Sequence, residues 1–119
     1  AIRYKNCLQE NAKMHVMIED VIESSHNGIV SWEKKSEVKP VMIQGSDDHV
    51  KTKERWKILE DFFSLKNIEY IKINSIQGNI LSKIVNLNYL LDYSSIYTAV
   101  LNKIDPSPVK SIEYIKSRL

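Results

Sequence analysis

Two side chains near the amino terminus have the types needed for proton transfer at carbon: Glu10, in the sequence ENAK, and His26, in the sequence HNGIVSWE. A base that removes a proton next to a carbonyl group is usually a carboxylate or an imidazole, and burial brings a carboxylate's pKa toward neutrality. The same residue types also fit a solvated helix glutamate and a turn histidine bonded to main chain. Residue type therefore leaves both interpretations open.

Two other groups of polar side chains are weaker candidates. Asp47, Asp48 and His49 have the chemistry of cation ligands, but adjacent residues rarely point at one centre, and no second cluster completes a site. Acidic residues are typical of a helix start, where the helix dipole favours negative charge. Cys7 with His15 or His49 has no spacing that supports a thiol nucleophile, and a lone cysteine usually serves as a small buried hydrophobe. We predict neither a metal nor a cofactor.

The composition excludes several classes of protein. The chain has 119 residues, 43% hydrophobic and 27% charged, with a formal net charge of +2, which predicts one soluble domain without nucleic-acid or membrane partners. Its three glycines are all single, so no glycine-rich phosphate loop is present. One cysteine allows no internal disulfide and favours a reducing, cytoplasmic compartment. No apolar run reaches the roughly 20 residues that span a bilayer.

The hydrophobic periodicity predicts which elements position these side chains. An apolar stripe indicates a first helix through Met14, Met17, Ile18, Val21 and Ile22, which the turn SSHNG ends. A short helical or irregular piece follows, and then, in chain order, a strand at 40–45, a helix at 49–65, a strand at 68–73, a helix at 80–104, and a last helix that Ser107 caps and Pro108 begins. A strand, a helix and a strand with short links favour parallel pairing in an α/β domain, although two strands make an incomplete sheet.

Four sequence blocks carry a family resemblance: NCLQENAK, HNGIVSWE, DDHVKTKERWKILEDFF and NYLLDYSSIYTAVLNKIDPSPVKSIEYIKSRL. In this order they resemble the C-terminal sugar isomerase (SIS) domain of the bifunctional phosphoglucose/phosphomannose isomerases, over essentially the whole chain. The resemblance implies an α/β fold of the SIS type, a parallel sheet layered by helices. It also implies that residues 1–119 are one SIS domain excised from a two-SIS-domain enzyme, with an N-terminal SIS domain and a second subunit of a homodimer as its partners.

The resemblance further implies a reaction and its residues. Enzymes of this family interconvert an aldose 6-phosphate and fructose 6-phosphate through a cis-enediol, without a cofactor. The ENAK block places the base on Glu10, and the histidine block places ring opening, at the active site of the partner subunit, on His26. Contacts to sugar hydroxyls fall on Thr98, in SSIYTAV, and on Lys103. The groups that grip the phosphate belong to the N-terminal SIS domain, so residues 1–119 alone are expected to be inactive.

Two other functions stay open on the sequence. A separate SIS module could bind a sugar phosphate or a partner domain without catalysis. Only the slight positive charge suggests a nucleic-acid-binding domain. A failure to bind DNA at any salt concentration would exclude this function. The interpretation as an isomerase domain also predicts that His26 lies at or near a subunit interface.

Overall fold

The computed structural model describes residues 1–119 and contains two compact units. The first unit comprises Ala1–Ile18 and Val85–Leu119, and the second comprises Glu19–Ile84. The elements in chain order are α1 (Ile2–Ala12), α2 (Val21–Ser24), a 3₁₀ helix (Gly28–Glu33), β1 (Val41–Gln44), α3 (Val50–Leu65), β2 (Ile71–Asn74), α4 (Ile80–Leu101) and α5 (Lys110–Lys116). None of the helices combines the length and apolar character needed to cross a membrane.

The core of the first unit lies between α1 and the second half of α4. Leu8, Ala12 and Ala99 are buried together, and Ala12 and Ala99 have no exposed surface at all. Tyr4, Val16 and Ile104 pack against this cluster. Leu8 and Ala12 are four residues apart and share one face of α1, which fixes the face that α1 turns inward.

The carboxyl end of α4 closes with a Schellman motif. The amide of Lys103 donates to the carbonyl of Val100 (2.9 Å), and the amide of Ile104 donates to the carbonyl of Ala99 (2.8 Å). Lys103 has the left-handed backbone that this motif requires, with φ of 58°. Ile104 then packs against the Ala99 cluster. The predicted continuation of the helix to Ile104 is therefore wrong by about one turn.

The second unit is built around a parallel two-stranded sheet. Met42 pairs with Lys72 in the β1–β2 register, and the incomplete parallel sheet predicted from the sequence is confirmed. The core comprises Val21, Met42, Leu59 and Phe63, with Ile29, Trp32, Trp56, Phe62, Ile68 and Tyr70 packed against it. Because α3 lies between the two strands along the chain, burying one of its faces on the sheet gives the strand–helix–strand unit.

The prediction for the first helix is wrong. Residues 13–20 are not helical, and Met14 (40% exposed), Met17 (87%) and Ile18 (39%) do not form a buried face. Lys13 ends α1 with left-handed backbone (φ 55°), and the Asp20 carboxylate accepts from the amides of Ile22 and Glu23 to begin α2. Two local caps therefore interrupt the apolar stripe, and Glu10 lies near the end of α1, before the interruption.

Two predicted boundaries and one predicted helix face also need correction. The second strand covers Ile71–Asn74 rather than 68–73, because Ile68 and Tyr70 pack against the core before β2 begins. The last helix begins at Lys110, and neither Ser107 nor Pro108 caps it. The hydrophobic pattern of 80–104 also predicts an apolar face comprising Ile80, Ile84, Leu87, Leu91, Val100, Leu101 and Ile104. This prediction is wrong in part, because the buried residues of α4 are Leu91, Ser95 and Ala99, whereas Ile80, Ile84, Val100 and Leu101 are exposed.

Candidate active site

Glu10 is positioned by the contacts of its neighbours on α1. The Asn11 amide donates to the Ser95 hydroxyl (2.7 Å), and Ser95, which is completely buried, donates to the carbonyl of Asp92 (2.6 Å). Ala12 packs into the Ala99 cluster on the same side. Successive helix residues project about 100° apart, so turning Asn11 and Ala12 inward leaves Glu10 on the outer surface of α1. Its side chain is exposed there.

An open cleft of about 670 Å³ runs beside Glu10. One wall carries Asn6, Gln9 and Glu10 of α1 and Lys13 just after it, and the other wall is formed by residues 108–112, which include the first turn of α5. These side chains combine one carboxylate, two carboxamides, a hydroxyl and two ammonium groups, those of Lys13 and Lys110. Such a lining offers both donors and acceptors to a ligand with several hydroxyl groups, and the carboxylate supplies a base.

Lys13 joins the two walls of this cleft. Its ammonium group donates to the Glu10 carbonyl (2.6 Å) and to the Pro108 carbonyl (2.7 Å). The sequence around Lys13 does not predict this role, because nothing local to it indicates a contact 95 residues away. Its one sequence signal is its place directly after the candidate base in the ENAK block.

Thr98 lies on a different surface of the first unit from Glu10. It lines a second, smaller cavity of about 290 Å³ together with Tyr93, Tyr97 and Leu101. Its hydroxyl donates to the carbonyl of Ser94 (2.8 Å), the usual bond of a threonine inside a helix. The structure therefore gives Glu10 and Thr98 separate cavities, and the sugar contact assigned to Thr98 stays a prediction.

Lys103 lines neither cavity. Its side chain is exposed and makes no hydrogen bond or ion pair, while its backbone takes the left-handed position at the end of α4. A lysine in this conformation has a steric cost that glycine avoids. The local structure explains the backbone of Lys103 but assigns no task to its ammonium group.

Replacing Lys103 with glycine separates its backbone role from any ligand contact. We expect Lys103→Gly to raise the free energy of unfolding by about 0.5–1 kcal/mol, because relief of left-handed strain outweighs the greater entropy of the unfolded chain. Lys103→Ala removes the same charge but keeps the strain, so it should gain nothing. Urea unfolding measures both, and equal stability changes in the two variants would contradict this account.

His26 belongs to the second unit, so Glu10 and His26 lie in different units. His26 is exposed in the turn after α2, where its amide donates to the Glu23 carbonyl (3.0 Å) and its imidazole makes no hydrogen bond. Gly28, two residues later, is buried. The Glu19 carboxylate occupies the space that a Cβ at this position would need. The turn predicted from SSHNG is confirmed, and it leaves the imidazole free to meet another group.

Cys7 takes part in a polar cluster between α1 and α4. Arg3 donates to both Asp92 carboxylate oxygens (2.5–3.2 Å), and the Cys7 thiol donates to Oδ1 of Asp92 (3.2 Å). The hydrogen bond from Arg3 holds the pKa of Asp92 below its ordinary value. Burial raises the pKa of Cys7, and the Asp92 hydrogen bond and charge raise it further. A thiol kept protonated is a poor nucleophile.

The raised pKa of Cys7 predicts slow reaction with thiol reagents. At a pH of about 8, near the ordinary thiol pKa, we expect folded protein to react with a maleimide more slowly than unfolded protein. Asp92→Asn should accelerate the reaction, because it removes the carboxylate and leaves the positive charge of Arg3 beside the sulfur. Equal rates in the parent and in Asp92→Asn would show that Asp92 does not control this thiol.

The three residues 47–49 each bind a different partner. Asp47 pairs with Lys83 across the second unit, and Asp48 accepts from the Gly45 amide (2.9 Å) and the Trp56 indole (3.1 Å). His49, rather than either aspartate, caps α3, since its Nδ1 accepts from the Lys51 amide (3.2 Å). No group of three or more metal-ligating side chains occurs in residues 1–119.

The fold is a partial α/β domain of the SIS type, with a small parallel sheet layered by helices and, in its first unit, a polar cleft containing a carboxylate. The family model described as bacterial phospho-glucose isomerase C-terminal SIS domain matches residues 1–119. The chain belongs to this family.

Two relatives are similar to the chain over its entire length. A bifunctional phosphoglucose/phosphomannose isomerase from Caldicellulosiruptor bescii is 32% identical over 123 residues, and one from Aquifex aeolicus is 31% identical over 126 residues. The chain spans 36% of the first relative and 38% of the second. No solved structure matches the chain.

Proposed function

We propose that residues 1–119 form the C-terminal SIS domain of an isomerase that interconverts glucose 6-phosphate or mannose 6-phosphate with fructose 6-phosphate. Family membership and the names of the two relatives support this assignment. The observation that carries it in the structure is the position of Glu10, the glutamate of the ENAK block, on the wall of an open polar cleft. A carboxylate that contacts solvent through a cleft can reach a bound sugar without any change of backbone.

In the proposed mechanism Glu10 moves the carbon-bound proton. The carboxylate takes the proton from C2 of the open-chain aldose, which leaves a planar cis-enediol, and returns it to C1 to give the ketose. One base suffices because both carbons present the same face to it. The negative charge that develops on the enediol oxygens requires fixed donors or cations nearby.

The remaining roles follow from the family resemblance. His26 would open the sugar ring at the active site of a second subunit, and its exposed, unbonded imidazole in a turn is compatible with reaching across an interface. Thr98 and Lys103 would contact sugar hydroxyls. The partners are a sugar phosphate, an N-terminal SIS domain of the same enzyme and a second copy in a homodimer, in the cytoplasm. No cofactor is needed for proton transfer between adjacent carbons.

The proposed dependence on another SIS domain has an energetic reason. Binding energy from the phosphate, remote from the reacting carbons, orients the substrate and supplies much of the rate. The groups that grip the phosphate would lie in the N-terminal SIS domain, so residues 1–119 alone should turn over neither substrate.

The direct test compares full-length protein with residues 1–119 for formation of fructose 6-phosphate from glucose 6-phosphate and from mannose 6-phosphate. We expect turnover by the full-length protein and none by residues 1–119. No turnover of either aldose by the full-length protein would overturn the proposal, and fructose 6-phosphate binding without turnover would instead identify a non-catalytic SIS module. Full turnover by residues 1–119 would contradict the proposed need for a second domain.

A further inference from the structure

We propose that Lys13 is a positioning residue, which fixes the distance between Glu10 and the opposite wall of the cleft by binding the Pro108 carbonyl. The inference rests on the proposed function, because it names the group that shapes the proposed substrate site. Lys13 does not act on the reacting carbons in this account. Its task is to keep the wall of residues 108–112 at the distance from Glu10 that a bound sugar needs.

The first support is the geometry of the Lys13 ammonium group. Its two hydrogen bonds, to the Glu10 carbonyl (2.6 Å) and the Pro108 carbonyl (2.7 Å), connect the end of α1 with the segment before α5. Neither carbonyl accepts from any other side chain, and Pro108 has no backbone N–H through which it could be held. The ammonium group is therefore the polar link between the two cleft walls at this point.

The second support is the backbone of Lys13. It occupies the left-handed position that ends α1, where glycine or asparagine would be less strained. Lys103 has the same residue type and nearly the same φ, yet its side chain makes no hydrogen bond. The side chain of Lys13 therefore makes hydrogen bonds that accompany its strained backbone, whereas the side chain of Lys103 makes none. Glycine at position 13 would keep the backbone and lose the link.

The third support is that the link leaves capacity for a ligand. A lysine ammonium group has three N–H donors, and two are used by the two carbonyls. Lys13 also lines the cleft itself, beside Glu10. Its positive charge therefore lies next to the space in which the proposed enediol would form. Lys13 would thus both hold the wall of residues 108–112 in place and favour an anionic ligand.

The test uses Lys13→Gly in the full-length protein, since glycine suits the left-handed backbone and the variant should fold. Hydrogen exchange reports the link: the amides of Ile112 and Glu113, which bond to the Val109 carbonyl, should exchange faster when the wall is released. Lys103→Gly is the matched control, in which those amides should keep the parent rate. Steady-state kinetics with glucose 6-phosphate should show KM raised roughly tenfold, as expected for one charged hydrogen bond lost, and kcat changed by less than about threefold.

Two further variants make the kinetic result specific. Lys13→Arg keeps donors and charge, so it should restore KM to within about threefold of the parent. Lys53→Met removes one exposed positive charge from α3 and should leave KM unchanged. Unchanged exchange in Lys13→Gly overturns the inference, as does faster exchange with an unchanged KM. If the parent protein turns over neither sugar phosphate, the proposed function fails, while exchange still decides whether the Lys13 link exists.

Discussion

Replacing Glu10 with glutamine in the full-length protein is expected to lower kcat about 10²- to 10⁴-fold and to leave KM for glucose 6-phosphate nearly unchanged. Glutamine keeps the size of the side chain and most of its hydrogen-bonding reach, but it cannot accept the C2 proton. Because Glu10 is exposed on α1 and contributes nothing to the Ala12 and Ala99 core, the variant should fold as the parent does. The loss is therefore expected in the chemical step alone.

The measurement that isolates this step is exchange of the C2 hydrogen of glucose 6-phosphate with solvent deuterium. Glu37→Gln, the same change at an exposed position in the second unit, is the matched control and should keep parent activity. Near-normal exchange in Glu10→Gln would mean that another residue is the base. The ENAK block would then mark a different role.

His26 supplies a contrast within the same experiment. If it opens the sugar ring, His26→Ala should impair cyclic glucose 6-phosphate more than a substrate supplied in open-chain form, for which that step is bypassed. Glu10→Gln should impair both equally, since proton transfer at carbon follows ring opening in either case. An equal loss of activity with both substrate forms in His26→Ala would mean that His26 acts in proton transfer or maintains the structure instead.

The strand–helix–strand unit could be predicted because its signals are local. Residues 41–44 and 71–74 are short apolar runs, and α3 has an apolar stripe that ends where Asn67 takes left-handed backbone. The missed start of α2 also had a local signal. Asp20 followed three residues later by Glu23 is the pattern of a helix cap, and the longer hydrophobic stripe masked it.

The packing of α4 could not be predicted from its hydrophobic pattern. Apolar side chains occur on almost every face of this helix, so the pattern does not choose among them. The face that packs is the one with the small residues Ser95 and Ala99, where Ser95 accepts the Asn11 hydrogen bond and Ala99 is buried with Leu8 and Ala12. Exposed Tyr89, Tyr93 and Tyr97 instead stack along the opposite side.

The candidate site shows the same division between local and distant information. Glu10 was found through a sequence block, which carries residue identity but no geometry. Lys13 was missed because its partner, Pro108, is 95 residues away and contributes only a backbone carbonyl, which no sequence pattern can indicate. The cleft itself depends on that contact. Sequence thus located the candidate base but not the group that shapes its surroundings.

The largest expected effect on stability is that of Phe63→Ala, which should lower the free energy of unfolding by about 3–5 kcal/mol. Phe63 is 3% exposed, and its ring contacts Trp32 edge-on at 5.5 Å between centroids and Tyr70 at 5.6 Å. It therefore joins α3 to the 3₁₀ helix and to the approach to β2. Truncation removes these contacts and leaves a cavity that three separate elements would have to close together.

Phe62→Ala is the matched control for this effect, because it makes the same substitution one residue away on α3. Phe62 is only partly buried and packs at the edge of the cluster, so its loss should cost clearly less than that of Phe63. Urea unfolding followed by tryptophan fluorescence measures both variants, since Trp32 and Trp56 lie against this core. A similar loss in the two variants, or a loss below about 1 kcal/mol for Phe63→Ala, would mean that the core does not depend on this ring, since such small values are those of surface substitutions.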